Sequence, residues 1–129
     1  SPIMILNIVL WILQAALAGL FGYAGYLKLT KSPDDLAKMW AWANEVPAGL
    51  TRLIGVAEIA GAVGIVLPQL TGILPWLTPL AALGFLAIQI IAIAFHGVRG
   101  EMRQTVWLNL ILLAASAFVI WGRWGLFTG

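Results

Sequence analysis

Four long apolar stretches, each about the length needed to cross a bilayer, constrain the fold of this chain more than any other feature. They run from about Met4 to Leu27, Leu50 to Leu67, Trp76 to Phe95 and Thr105 to Trp121. A helix needs roughly 17–25 apolar residues to span a hydrocarbon core about 30 Å thick. Only 9% of the 129 residues are charged, whereas a soluble domain is about 25% charged. The sequence therefore predicts an all-α membrane protein, a single domain over residues 1–129 that forms a bundle of four transmembrane helices in the lipid bilayer.

The segment Ser1-Pro2-Ile3 precedes Met4. We interpret Met4 as the native initiator and the three residues before it as vector-derived. The first apolar stretch is too long for the core of a signal peptide and has no positive segment ahead of it, so we expect a true membrane helix.

Basic residues are unevenly distributed over the connections between the four stretches. The second connection, from Pro68 to Thr78, has no charge, whereas Lys and Arg cluster at the first and third. Cytoplasmic loops collect Lys and Arg. We therefore expect the first and third connections in the cytoplasm and both termini on the other side. The basic residues at these two connections are Lys28, Lys31, Lys38, Arg52, Arg99 and Arg103.

The first connection predicts a short amphipathic helix over about residues 33–45. Ser32 is suited to cap it, Pro33 to occupy its first position, and Asp35 supplies the acid that follows the cap. Apolar residues then recur at helical spacing. We expect this helix to lie on the membrane surface or to cover a site at the cytoplasmic end of the bundle.

Glycines on the first two spans indicate where helices pack closely. Membrane helices associate across small residues that let their backbones approach. The glycines are Gly19, Gly22 and Gly25 on the first span and Gly55, Gly61 and Gly64 on the second.

None of the four spans is visibly interrupted, which weighs against a carrier built on broken helices.

Glu58 lies within the glycine row of the second span and is the strongest functional candidate. An acid at bilayer depth costs roughly 2.5–3.5 kcal/mol on insertion scales and marks a site by default. Such a carboxylate must be paired, hydrogen-bonded or protonated. Each span also contributes one polar group at similar depth, which predicts a ligand-binding site made of Tyr23, Glu58, Gln89 and Asn109, with Lys28, Arg52 and His96 at its mouth. Interhelical hydrogen bonds are the alternative role for Gln89 and Asn109.

The sequence gives little support for an enzyme active site. Its single histidine lies at a helix end, and it has no cysteine, so thiol chemistry and thiolate metal sites are excluded and a metal centre is not expected. Nucleic-acid binding has no support because no basic stripe exists outside the membrane ends. Catalysis by this chain alone is therefore not favoured, although the sequence leaves it open.

Several motifs together resemble the DoxX and DoxX-like family of small membrane proteins. Phe21-x-x-x-Gly25-x-x-Lys28-Leu29 is similar to the pattern that opens the family, and Gly55-x-x-Glu58-x-x-Gly61 to its acidic motif. The connection from Leu67 to Leu80 is similar to that of the DoxX-like subfamily. The resemblance extends from Met4 to about Arg123.

The resemblance implies a four-helix protein of the bacterial inner membrane. The family takes its name from a subunit of a thiosulfate:quinone oxidoreductase, and some relatives are associated with redox complexes that respond to oxidative or thiol stress. It further implies Lys28, Gly55, Glu58 and Gly61 as motif positions. Partners would be lipid and membrane redox proteins, with a second copy of the chain as a further candidate.

Three functions remain open at this point. The first is an accessory subunit or scaffold of a redox-linked complex, with a pocket for a quinone or another apolar ligand beside Glu58. The second is a small proton-coupled transporter that uses Glu58. The third is a structural or assembly protein in which Glu58 pairs with Arg52 or, from the neighbouring helix, Lys28.

Overall fold

The computed structural model describes the backbone of residues 1–129 and the side chains of every residue except 102 and 104. It is an all-helical bundle, as predicted, and four of its helical segments are long and apolar enough to cross a membrane. The chain is therefore a multi-pass membrane protein in contact with lipid. The helices are α1 (Pro2–Thr30), α2 (Pro33–Ala37), α3 (Ala48–Gly64), α4 (Leu67–Thr71), α5 (Leu77–Val98) and α6 (Met102–Arg123).

The long helices pack through narrow buried stripes and leave their other faces to lipid. α1 buries one residue in every three or four, which is the spacing of one helix face. Each long helix packs against the next in chain order, and α6 also packs against α1, which closes the bundle. Phe21 and Phe85 stack at its centre with ring centroids 3.9 Å apart. The stripe on α1 consists of Leu10, Gln14, Leu17, Phe21, Gly25 and Lys28.

The two ends of the bundle differ in chemistry. One end, here called the charged end, contains the connections 31–47 and 99–101. The ion pair between Arg99 and Glu45 joins these two connections at 2.7 Å. The opposite end, here called the terminal end, contains the start of α1, the connection 65–76 and residues 124–129. No acidic residue of the sequence belongs to the segments that form the terminal end.

The second span is interrupted, contrary to the expectation of four unbroken helices. α3 ends at Gly64 and α4 begins at Leu67. Pro68 has no backbone N–H, so it cannot bond the carbonyl oxygen of Gly64 four residues earlier. The hydroxyl of Thr78 bonds that oxygen instead, at 3.1 Å, and accepts a bond from the backbone N–H of Gln69 at 3.2 Å. The break is thus stabilised by a side chain of α5.

The first connection contains two short helical pieces rather than one helix over residues 33–45. The expected cap is present, since the Ser32 hydroxyl accepts from the backbone N–H of Asp35. α2 then ends at Ala37, and a 3-10 turn follows at Ala41–Asn44. Trp40 separates them because its backbone is extended. Leu36 and Ala43 are buried against Leu27 of α1, so this segment packs on the charged end of the bundle.

Candidate functional site

Lys28 and Glu58 form an ion pair inside the bundle. The distance from Lys28 Nζ to Glu58 Oε1 is 2.8 Å. The two residues are only 6% and 4% exposed. Lys28 comes from the last turn of α1 and Glu58 from the middle of α3. The candidate carboxylate of the sequence thus meets a cation from the neighbouring helix, and the charges neutralise each other.

The pair forms because two glycines let α1 and α3 approach closely. A Cβ atom added to Gly25 would lie 2.7 Å from the carbonyl oxygen of Gly55, and one added to Gly55 would lie 3.0 Å from the carbonyl oxygen of Gly25. A Cβ atom essentially never lies within 3.0 Å of a backbone atom, so a side chain at Gly25 would force the two helices apart. Since Lys28 and Glu58 each lie three residues beyond one of these glycines, they face each other across the same contact.

Trp40 covers the ion pair from the charged end. Its ring centroid lies 4.5 Å from Lys28 Nζ, within the range of a cation–π contact. The first connection therefore contacts the pair through Trp40.

Arg52 does not pair with Glu58. One terminal nitrogen of its guanidinium donates to the backbone carbonyl oxygens of Lys28 and Lys31, the latter at 2.7 Å. A cation at the last carbonyls of a helix satisfies free acceptors and complements the helix dipole. Arg52 therefore caps the C-terminus of α1, and Lys28 is the partner of Glu58.

Three other polar side chains are buried inside the bundle. Thr51, Gln89 and Asn109 are buried on α3, α5 and α6. Within the described part of the chain, Thr51 Oγ1, Gln89 Oε1 and Asn109 Nδ2 have no hydrogen-bond partner. Buried polar atoms are paired in the large majority of cases, so three such atoms require an explanation.

Tyr23, also predicted for the site, does not face the bundle interior. Tyr23 is 62% exposed on the outer face of α1. The buried stripe of α1 passes through Phe21 and Gly25. A residue two positions along a helix is rotated by about 200°, so Tyr23 points away from the interior. Gly61, the motif position on α3, packs against Phe85, whose ring would lie 2.5 Å from an added Cβ atom.

His96 belongs to a second ionic group, on the surface of the charged end. Its Nδ1 lies 3.1 Å from Glu101 Oε1, which also accepts from Arg99 Nε at 2.7 Å. Hydrogen bonds with Arg99, the larger effect, and with His96 hold the pKa of Glu101 below its usual value. Hydrogen bonds to Glu101, the larger effect, and to Glu45 raise the pKa of the Arg99 guanidinium. This cluster fastens the third connection to the first, and it is separate from the Lys28–Glu58 pair.

Comparison with protein-family profiles shows which family the chain belongs to. The profile of the DoxX-like family matches residues 12–119. The chain belongs to the DoxX-like family. Comparisons with curated proteins and with solved structures found no significant match. The matched region of this DoxX-like protein contains both members of the buried ion pair and the three buried polar atoms without partners.

Sequence reasoning missed a polar network at the terminal end of this DoxX-like protein. Gln14 is fully buried, and its amide nitrogen donates to the carbonyl oxygen of Ile65 at 2.8 Å and to Gln69 Oε1 at 2.9 Å. Arg123 Nε donates to Gln14 Oε1 at 2.8 Å. One signal pointed to it: an amide in the middle of an apolar span, which requires polar partners inside the bundle.

Proposed function

We propose that this DoxX-like protein is an accessory membrane subunit of a redox-linked complex, and that it holds a quinone-type ligand in the charged-end half of its bundle. The observation that carries the proposal is the set of three buried polar atoms without partners on α3, α5 and α6. The association with redox complexes comes from the family resemblance, and catalysis by this chain alone is not part of the proposal.

The chemistry of the three groups matches both redox states of such a ligand. A quinone presents carbonyl oxygens, which accept from the Asn109 amide nitrogen and from the Thr51 hydroxyl. A quinol presents hydroxyl groups, which donate to Gln89 Oε1 and to Thr51 Oγ1. Thr51 and Glu58 lie about two turns apart on one face of α3, so the ligand would lie beside the ion pair. Its apolar tail would extend into lipid.

A quinone-dependent increase in thermal stability is the test of this proposal. The purified protein is heated with and without a decyl-substituted benzoquinone, and the fraction that remains folded is measured by size-exclusion chromatography. Asn109→Leu and Gln89→Met replace the two amides by apolar groups of similar shape. We expect both variants to melt at a higher temperature without ligand, since a buried unpaired polar atom is removed, and to lose the quinone effect.

Ser116→Ala is the matched control for these variants. Ser116 is also buried on α6, but its hydroxyl already donates to the carbonyl oxygen of Leu112 at 2.8 Å. This variant should keep the full quinone effect. A wild-type protein whose melting temperature does not change with quinone, or an unchanged effect in both amide variants, would contradict the proposal.

An assembly protein is the second candidate, and the contact between Lys28 and Glu58 favours it. A carboxylate already bound to a cation at 2.8 Å has a structural role without any ligand. Loss of stability in Glu58→Gln together with no quinone effect in the wild type would support this function. The interruption of the second span is a feature of carriers, yet its carbonyl oxygens are bonded by Thr78 and Gln14, so the carrier has weaker support.

A further inference from the structure

Arg123, the last residue of α6, is a buried cation whose partners are all neutral. It is only 9% exposed. Its Nε donates to Gln14 Oε1, its Nη1 donates to Asn7 Oδ1 at 2.9 Å, and its Nη2 donates to the backbone oxygen of Asn7 at 3.4 Å. A guanidinium has five N–H donors, so two remain for another acceptor. Its carbon Cζ lies 5.4 Å from the ring of Trp11, which is also uncharged.

No carboxylate side chain of this chain neutralises Arg123. The sequence has five acidic residues, and all are described. Four of them form ion pairs elsewhere, with Lys28, Lys38 and Arg99, the last of which pairs with both Glu45 and Glu101. The fifth, Asp34, accepts a bond from Asn44 at the charged end. A buried charge without a counter-charge is unfavourable, so the site is set up to receive an anion.

A groove of about 450 Å³ opens beside the guanidinium at the terminal end. Ser1, Asn7 and Arg123 form its polar part. Its remaining wall is mostly apolar and consists largely of Ile3, Met4, Leu6 and Leu10. Ile3 and Met4 are exposed on the outer surface of α1, where lipid chains would lie. The groove thus joins a cationic position to an apolar surface.

We propose that this groove binds an anionic phospholipid, with the phosphate on Arg123 and an acyl chain along Met4 and Leu6. The two remaining N–H groups of a guanidinium suit the oxygens of a phosphate. The apolar wall selects a lipid over free phosphate, and the uncompensated charge selects a lipid with net negative charge over a zwitterionic one. A groove at a helix end near the expected bilayer surface is where a lipid headgroup lies.

The position of the guanidinium is fixed by the interior of the protein. Gln14 binds Arg123 on one side and the interrupted second span on the other, through Ile65 and Gln69. The cation is therefore held at the groove and does not extend freely into water as a surface arginine would. Arg123 and Asn7 also lie outside the region that matches the DoxX-like family.

The test compares three additions to the purified full chain in a non-ionic detergent. These are dioctanoyl phosphatidylglycerol, dioctanoyl phosphatidylcholine and inorganic phosphate, at equal concentrations. The readouts are the melting temperature and the bound lipid in native mass spectrometry. We expect only phosphatidylglycerol to raise the melting temperature and to remain bound. An equal effect of inorganic phosphate or of phosphatidylcholine would overturn the proposal.

Arg123→Gln should weaken phosphatidylglycerol binding about tenfold to a hundredfold, as expected for the loss of hydrogen bonds to a charged group. Arg103→Gln is the control, because it removes the same charge from an exposed residue near the charged end. It should bind phosphatidylglycerol as the wild type does. Equal binding by wild type and Arg123→Gln would contradict the assignment.

Asn7→Asp keeps the proposal testable if Arg123→Gln fails to fold. This substitution places a carboxylate beside Arg123 Nη1, where the amide oxygen now lies at 2.9 Å. The internal ion pair should raise the melting temperature without lipid and weaken phosphatidylglycerol binding at least about tenfold. Unchanged lipid binding in Asn7→Asp would show that the charge of Arg123 does not hold the lipid.

Discussion

Lys28 and Glu58 depend on each other, because among the described side chains neither has another partner of opposite charge inside the bundle. Arg52, a cation on α3 itself, is already bound to the carbonyl oxygens at the end of α1. Breaking a buried pair by removing one member leaves the other charge uncompensated, whereas replacing both members is often close to neutral. The two kinds of change therefore separate the contribution of the pair from the cost of isolating one charge.

We expect Glu58→Gln to lower the free energy of unfolding by about 3–5 kcal/mol, because it isolates the ammonium group of Lys28. The double variant Lys28→Met with Glu58→Gln should recover most of this loss. The measurement is reversible unfolding in mixed micelles with increasing SDS. Asp35→Asn is the control, since the Lys38–Asp35 pair is exposed and such pairs contribute about 0–1 kcal/mol. Additive losses in the double variant would mean that the two residues act independently.

Burial of the polar side chains was only partly predictable from the sequence, because it depends on orientation around the helix axis. Counting residues at a constant rise selected Glu58, Gln89 and Asn109, and all three are buried. The same count included Tyr23, which lies on the opposite face. Arg123 was assigned to the chain beyond the fourth span, and its burial depends on Gln14, a residue far away in sequence.

The positions of the long helices follow from the local pattern of apolar residues, whereas the break in the second span does not. The apolar stretches fix where α1, α3, α5 and α6 lie to within a few residues. Pro68 indicates that a helix ends or bends, but whether the chain continues as α4 depends on Thr78 and Gln14, which bond the freed backbone groups. Similarly, the apolar spacing after Ser32 suggested one helix, whereas tertiary packing of Leu36 and Ala43 favours two short pieces.

Gly25→Ala should destabilise the packing of α1 on α3. The added Cβ atom would lie 2.7 Å from the carbonyl oxygen of Gly55, so the helices must separate, at a cost of about 1–3 kcal/mol in unfolding free energy. Gly19→Ala on the same helix is the control, because its Cβ atom would meet nothing within 4 Å. Alanine is favoured over glycine in a helix by about 1 kcal/mol, so this control should be neutral or stabilising. Equal effects in SDS unfolding would mean that the close approach is not required.

The whole molecule is electrically asymmetric along the bundle axis. Six of its seven Lys and Arg residues lie at or near the charged end, together with the ionic cluster of Arg99, Glu45, Glu101 and His96. The terminal end has Arg123 alone, and that residue is buried. Because translocation across the membrane disfavours short loops rich in Lys and Arg, this asymmetry predicts the orientation of the protein: the charged end is cytoplasmic.

Labelling of single cysteines tests this orientation, and the chain is suited to it because it has no cysteine of its own. Ala41→Cys lies in the first connection and Thr71→Cys in the second, and both positions are exposed. In spheroplasts of an expressing bacterium, a membrane-impermeant maleimide should label Thr71→Cys and leave Ala41→Cys unlabelled until the membrane is lysed. N-ethylmaleimide, which crosses membranes, should label both and shows that each thiol is reactive. The reverse pattern would place the charged end outside, and the anionic lipid on Arg123 would then belong to the cytoplasmic leaflet.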